Sequence, residues 1–132
     1  MAFPVDDQYI KAAEKELGLT FPLTFKDKMK RENGGEIETE YDSWTIHPFF
    51  DKSDIKRIKR TSNHIILEAK NSKEWDGFPD NAVAIGDNGS GDKLILLTTD
   101  SNPKELGDKI YVWLHETREI EELADNIDEL DR

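Results

Sequence analysis

The chain has 132 residues, hydrophobic and charged residues at 36% each, no cysteine and a formal charge of −11, which suits one soluble domain over 1–132 and excludes a disulfide framework, thiolate chemistry and full disorder. Residues 1–52 carry 7 basic and 11 acidic groups, 53–75 carry 6 and 3, and 76–132 carry 5 and 15, a distribution that repels nucleic acid and anionic membranes, attracts basic proteins and also favours solubility. No apolar run follows Met1-Ala2-Phe3-Pro4 and no stretch approaches the roughly 20 residues of a spanning helix, so a cytoplasmic protein is expected.

Asp6 or Asp7 can cap a first helix in which Tyr9, Ile10, Ala13 and Leu17 recur at helical spacing, with Gly18 at its left-handed end. Thr20-Phe21-Pro22 then starts a second helix carrying Leu23, Phe25 and Met29, stopped by Asn33-Gly34-Gly35. Residues 36–43 alternate acids with Ile37, Thr39 and Tyr41, a pattern that fits an edge strand or an ordered loop, and Trp44-Thr45-Ile46-His47 reads as a strand cut off by Pro48. Asp51 or Ser53 can cap a longer helix reaching about Lys70, with Ile55, Ile58, Ile65, Ile66 and Ala69 inward and a basic cluster, Lys56, Arg57, Lys59 and Arg60, in its first half. Strands are predicted at 82–86, 93–99 and 109–114, paired antiparallel through short turns. Ile120, Leu123, Ala124, Ile127 and Leu130 predict a closing amphipathic helix. The fold class is therefore α+β, a single domain with an antiparallel sheet of about four to six strands packed by helices.

No constellation for catalysis stands out. The loop Asp87-Asn88-Gly89-Ser90-Gly91-Asp92 offers oxygen ligands but lacks the twelfth-position acid and flanking helices of a calcium loop, and Asp92 stands where a phosphate-binding loop needs lysine. It reads as a hairpin turn with glycines at positive φ and aspartates bonding the turn backbone. His47, His64 and His115 lie in separate segments without metal-ligand spacing, and His115-Glu116-Thr117-Arg118-Glu119 departs from a zinc-protease helix at its last position. Each histidine is expected at the surface or in a cap. No metal, cofactor or catalytic residue is assigned. Trp44 and Trp113 are expected to pack in the sheet, whereas Trp75, beside Asp76-Gly77, fits either a lid on the core or an exposed anchor.

Leu17-Gly18, Pro22 with Asn33-Gly34-Gly35, Trp44, the turn from Gly86 to Asp92 and the closing segment 119–130 occur in an order and spacing that resemble the SUKH superfamily over nearly the whole chain. That group holds fungal cell-wall-assembly regulators and many bacterial toxin-immunity proteins. The bacterial members imply an immunity protein that masks a secreted toxin stoichiometrically, commonly a basic nuclease-type domain. The fungal members imply a non-catalytic regulatory or scaffolding module. Either way the partner is a protein, and the chain itself is expected to be a monomer or weak homodimer. The expected partner face is Glu36, Glu38, Glu40, Tyr41 and Asp42, extended by Asp87, Asp92 and Trp75: a row of like charge steers a basic partner and an aromatic side chain anchors it. The same acids also protect a sheet edge from aggregation.

Overall fold

A computed structural model describes residues 3–39 and 42–130. Helices α1 (Asp7–Leu17) and α2 (Leu23–Arg31) form the expected pair, with Gly18 closing α1 at φ 70°. Pro22 sits at the N-cap of α2, one position ahead of the first turn, and α2 ends at Arg31, before the Asn-Gly-Gly run. Strands β1 (Glu36–Glu38) and β2 (Ser43–Ile46) follow, then helices α3 (Ile55–Arg60) and α4 (Ile65–Ser72). The sheet continues with β3 (Ala82–Asp87), β4 (Lys93–Leu97), β5 (Ile110–Trp113) and β6 (Ile120–Ala124), and helix α5 (Ile127–Leu130) comes last. The six strands lie side by side in chain order, each antiparallel to its neighbours. The α+β architecture and the antiparallel meander agree with the reading of the sequence.

Two elements differ from that reading. The helix expected from about residue 53 to 70 is two helices, because local side chains stop the first and start the second. Asp54, rather than Asp51 or Ser53, caps α3 by accepting from Arg57 N–H at 2.8 Å, and the Thr61 hydroxyl donates to the Arg57 carbonyl at 2.8 Å. His64 caps α4, its Nδ1 accepting from Leu67 N–H at 3.2 Å. Ile55 and Ile58, expected inside, are exposed, while Ile65, Ile66 and Ala69 are buried.

The expected closing helix over 119–130 is a strand, Ile120–Ala124, followed by one helical turn, Ile127–Leu130. Its apolar spacing is helical, but β5 would otherwise be an open edge, and residues 120–124 satisfy that edge through the pairs Ile110↔Ala124, Tyr111↔Glu122, Val112↔Glu121 and Trp113↔Ile120. Arg118 at φ 65° turns the chain, with Leu114 N–H donating to Glu119 O at 2.9 Å. Only Ile127–Leu130 remains helical, with both end residues buried in the main core.

The core falls on both faces of the sheet. Leu94, Leu96, Val112 and Ile110 point into the main cluster with Ile10, Phe21, Phe25, Met29 and Phe49. The alternate residues Ile95 and Trp113 join Ala82 in a smaller cluster against which Phe78, Leu97 and Tyr111 pack. Trp44 and Trp113 are both buried, as expected.

The two ends of the Asn33 side chain tie α2 to the exit of β2. Its Nδ2 donates to Phe49 O at 2.8 Å and its Oδ1 accepts from Phe49 N–H at 2.8 Å, all of it buried. The Phe49 ring then meets Phe21 edge-on at 5.2 Å and Phe25 at 5.9 Å. Replacing Asn33 with Ala leaves a buried donor and a buried acceptor unpaired and is expected to cost about 2 to 4 kcal/mol. Asn33→Asp keeps one of the two bonds and should still be destabilised, because it faces a carbonyl with a second acceptor. Urea denaturation of the variants checks both, and wild-type midpoints would refute the clamp.

Candidate functional site

Alternation along β1 buries Ile37 and leaves Glu36 and Glu38 exposed on one face. The pairing register carries that face across the whole sheet as one row: Glu36, Thr45, Asp87, Lys93, Trp113 and Ile120. β1 ends at Glu38, so Asp42 belongs to the turn into β2, where Thr39 N–H donates to Asp42 O at 2.8 Å. Glu40 and Tyr41 lie outside the described residues.

Asn88 joins two turns that are far apart in the chain. Its Nδ2 donates to Asp42 Oδ2 at 2.7 Å and lies 3.3 Å from Asp92 Oδ2. Asp92 in turn accepts from His115 N–H at 3.1 Å and pairs with His115 Nδ1 at 2.7 Å. The His115 ring meets Trp75 edge-on at 6.2 Å, and Trp75 stands edge-on to Trp113 at 5.9 Å. Asp42, Asp92 and Trp75 thus form one connected surface. Trp75 is both lid and surface, resting on buried Trp113 while 41% exposed.

The turn residues behave as a hairpin requires. Asp87 Oδ1 accepts from Gly89 N–H at 3.1 Å and Asn88 Oδ1 from Ser90 N–H at 2.9 Å. Gly91 sits at φ 112°, and a Cβ there would stand 2.9 Å from the His115 ring. At Gly86 the constraint is contact, since a Cβ would lie 2.8 Å from the Thr45 carbonyl where β2 and β3 approach.

The basic cluster is held by local contacts. Arg57 pairs with Asp54 at 2.7 Å and with Asp51 at 3.7 Å, and its guanidinium lies 4.6 Å from the Phe3 ring centre.

A second group was invisible in the sequence. His47, expected at the surface or in a cap, is buried at 1% exposure. Its Nε2 lies 3.5 Å from Asp87 Oδ2 and 3.8 Å from Glu68 Oε2, and Lys93 Nζ stands 4.0 Å from the same Glu68 oxygen. Burial pushes the His47 pKa below its ordinary value, against the pull of Glu68 and Asp87 and with the help of Lys93. These residues come from the exit of β2, from α4, from the end of β3 and from the start of β4, so no spacing rule finds them.

Burial works to raise the Asp92 pKa, but hydrogen bonds from the His115 ring, the His115 backbone and Asn88 outweigh it and hold the carboxyl below its ordinary value. A depressed carboxyl pKa contributes stability above the unfolded pKa and loses it as pH falls through the folded one. Chemical denaturation should therefore show the stability gap between wild type and Asp92→Asn shrinking between about pH 5 and pH 2. A constant gap would mean that the carboxylate charge contributes nothing. Gly91→Val should destabilise by about 1 to 3 kcal/mol through its backbone angle, with a further loss from the displaced His115 ring. A wild-type thermal midpoint would overturn this.

The sequence model of the SMI1 / KNR4 family (SUKH-1) matches residues 4–130 of this chain. No curated protein matches it.

Proposed function

We propose, from the premise that the chain belongs to the SMI1 / KNR4 family (SUKH-1), that it is an immunity protein which binds a basic toxin domain and masks it in a one-to-one complex. The observation that carries this reading is the joining of the two acidic turns by Asn88, which sets Asp42 and Asp92 on one surface with Trp75 and beside the exposed row of Glu36 and Glu38. Like charges gathered in this way oppose one another in the free protein and gain when a cationic surface arrives. Trp75 offers the partner an aromatic face already fixed by Trp113, so little side-chain freedom is lost on binding.

Within this reading the residues divide their work. Glu36 and Glu38, exposed on the edge strand, act on the rate of encounter. Asp42 and Asp92 hold the turns in place as well as carrying charge, so their loss would confuse folding with binding. Trp75 acts on the rate of release. Among the described residues, no helix is long and apolar enough to cross a membrane.

The test takes the product of the adjacent reading frame and measures its binding to wild type and to the Glu36→Lys/Glu38→Lys double variant across a salt series. The variant should keep the wild-type thermal midpoint and lose about tenfold or more in association rate at low salt, with a shallower salt dependence. Trp75→Ala should instead raise the dissociation rate. If the adjacent product does not bind, the immunity reading falls and the regulatory module seen in the fungal members takes its place. If it binds with unchanged rate and salt slope, the binding face lies elsewhere.

A further inference from the structure

We propose that His47 Nε2, Glu68 Oε2 and Asp87 Oδ2 form a binding site for one divalent transition-metal ion of the zinc type. The three donor atoms lie within 4.8 Å of one another, with His47 Nε2 at 3.5 Å from Asp87 and 3.8 Å from Glu68. Ligands about 2.1 Å from a tetrahedral zinc ion stand about 3.4 Å apart. His47 and Asp87 already stand at about that spacing, and Glu68 lies a little farther from His47.

The second, independent sign is the imidazole. His47 is 1% exposed, and its Nε2 is buried without a hydrogen-bond partner among the described residues. A buried nitrogen left without a partner is costly, and here it is aimed at two carboxylates. A cation between the three groups satisfies the nitrogen lone pair and both carboxylates at once. One imidazole nitrogen with two carboxylate oxygens is a mixed donor set that suits zinc better than calcium or magnesium, which favour oxygen alone. Three protein ligands leave a fourth position for water.

Lys93 is the competing cation. Its ammonium stands 4.0 Å from Glu68 Oε2, beyond hydrogen-bond range, and it also lies 5.2 Å from the centre of the Trp75 ring. That aromatic face gives it a second seat when the carboxylates turn to a metal ion. Asp87 is 27% exposed at its side chain and Glu68 13%, so the ion has a way in from the sheet surface. Bound there, it would tie β2, α4 and β3 together.

The experiment titrates the chelator-treated protein with Co²⁺, followed by its visible absorption and by the histidine ring signals in NMR, with Zn²⁺ as competitor. One Co²⁺ should bind per chain, broaden the His47 signals and be displaced by Zn²⁺ but not by Ca²⁺. Glu68→Gln and Asp87→Asn should each weaken binding by about tenfold or more, and His115→Gln should leave it unchanged. Lys93→Met should tighten it by removing the rival charge. The wild-type NMR arm stands even if a His47 variant does not fold. Binding without a one-to-one endpoint, binding indifferent to Glu68→Gln and Asp87→Asn, or broadening of His115 in place of His47 would each overturn the site.

Discussion

The carboxamide of Asn33 is where the helices and the sheet become one body. It takes both backbone groups of Phe49, at 2.8 Å each, in a setting that water does not reach. Phe49 then carries the connection in two directions. Its ring closes on Phe21 and Phe25 from the first helix pair, and the carbonyl of its neighbour Pro48 accepts from Ile65 N–H at 2.8 Å, at the start of α4. A single side chain thereby sets α2, the exit of β2 and the beginning of α4 against one another. Everything that depends on the position of His47, two residues before Phe49, depends on it too.

What was legible in the sequence is what local chemistry decides. Gly18 closes α1, the glycines of the β3–β4 turn take positive φ, and the runs 82–87, 93–97 and 110–113 are strands within a few residues of their expected ends. Such signals need only their neighbours in the chain. The helix from residue 53 to 70 was misread because its break lies in three side chains, Asp54, Thr61 and His64, whose capping bonds cannot be told from ordinary surface polarity. The segment after Glu119 was misread for the opposite reason. Its spacing is a sound helical signal, and pairing with the preceding strand outweighs it: Val112 faces Glu121. Tertiary pairing of an open edge is not written in any window of sequence.

The candidate face divides in the same way. The charge alternation of Glu36 and Glu38 about buried Ile37 is visible to inspection, and the structure keeps it. That Asp42 and Asp92 meet through Asn88 is not visible, because the contact spans 46 residues on one side and 4 on the other. His47, Glu68 and Asp87 are further still from any sequence rule. They are ordinary polar residues, made unusual only by the burial of an imidazole whose Nε2 has no hydrogen-bond partner among the described residues.

Strand order in the sheet is chain order, from β1 through to β6. Each strand therefore emerges from the ribosome to find its only earlier partner already made, and loop closure costs stay low. Synthesis at about 5 to 20 residues per second leaves about 0.5 to 2 seconds between the making of β5 and of the β6 that covers its edge. Two later segments reach far back: residues 104–106 bond to Thr20, and α5 sets Ile127 and Leu130 into a core begun by α2 and places Asp128 3.2 Å from Arg31. The edge of β5 thus stays open until the acidic segment that carries Glu119, Glu121 and Glu122 arrives to cover it.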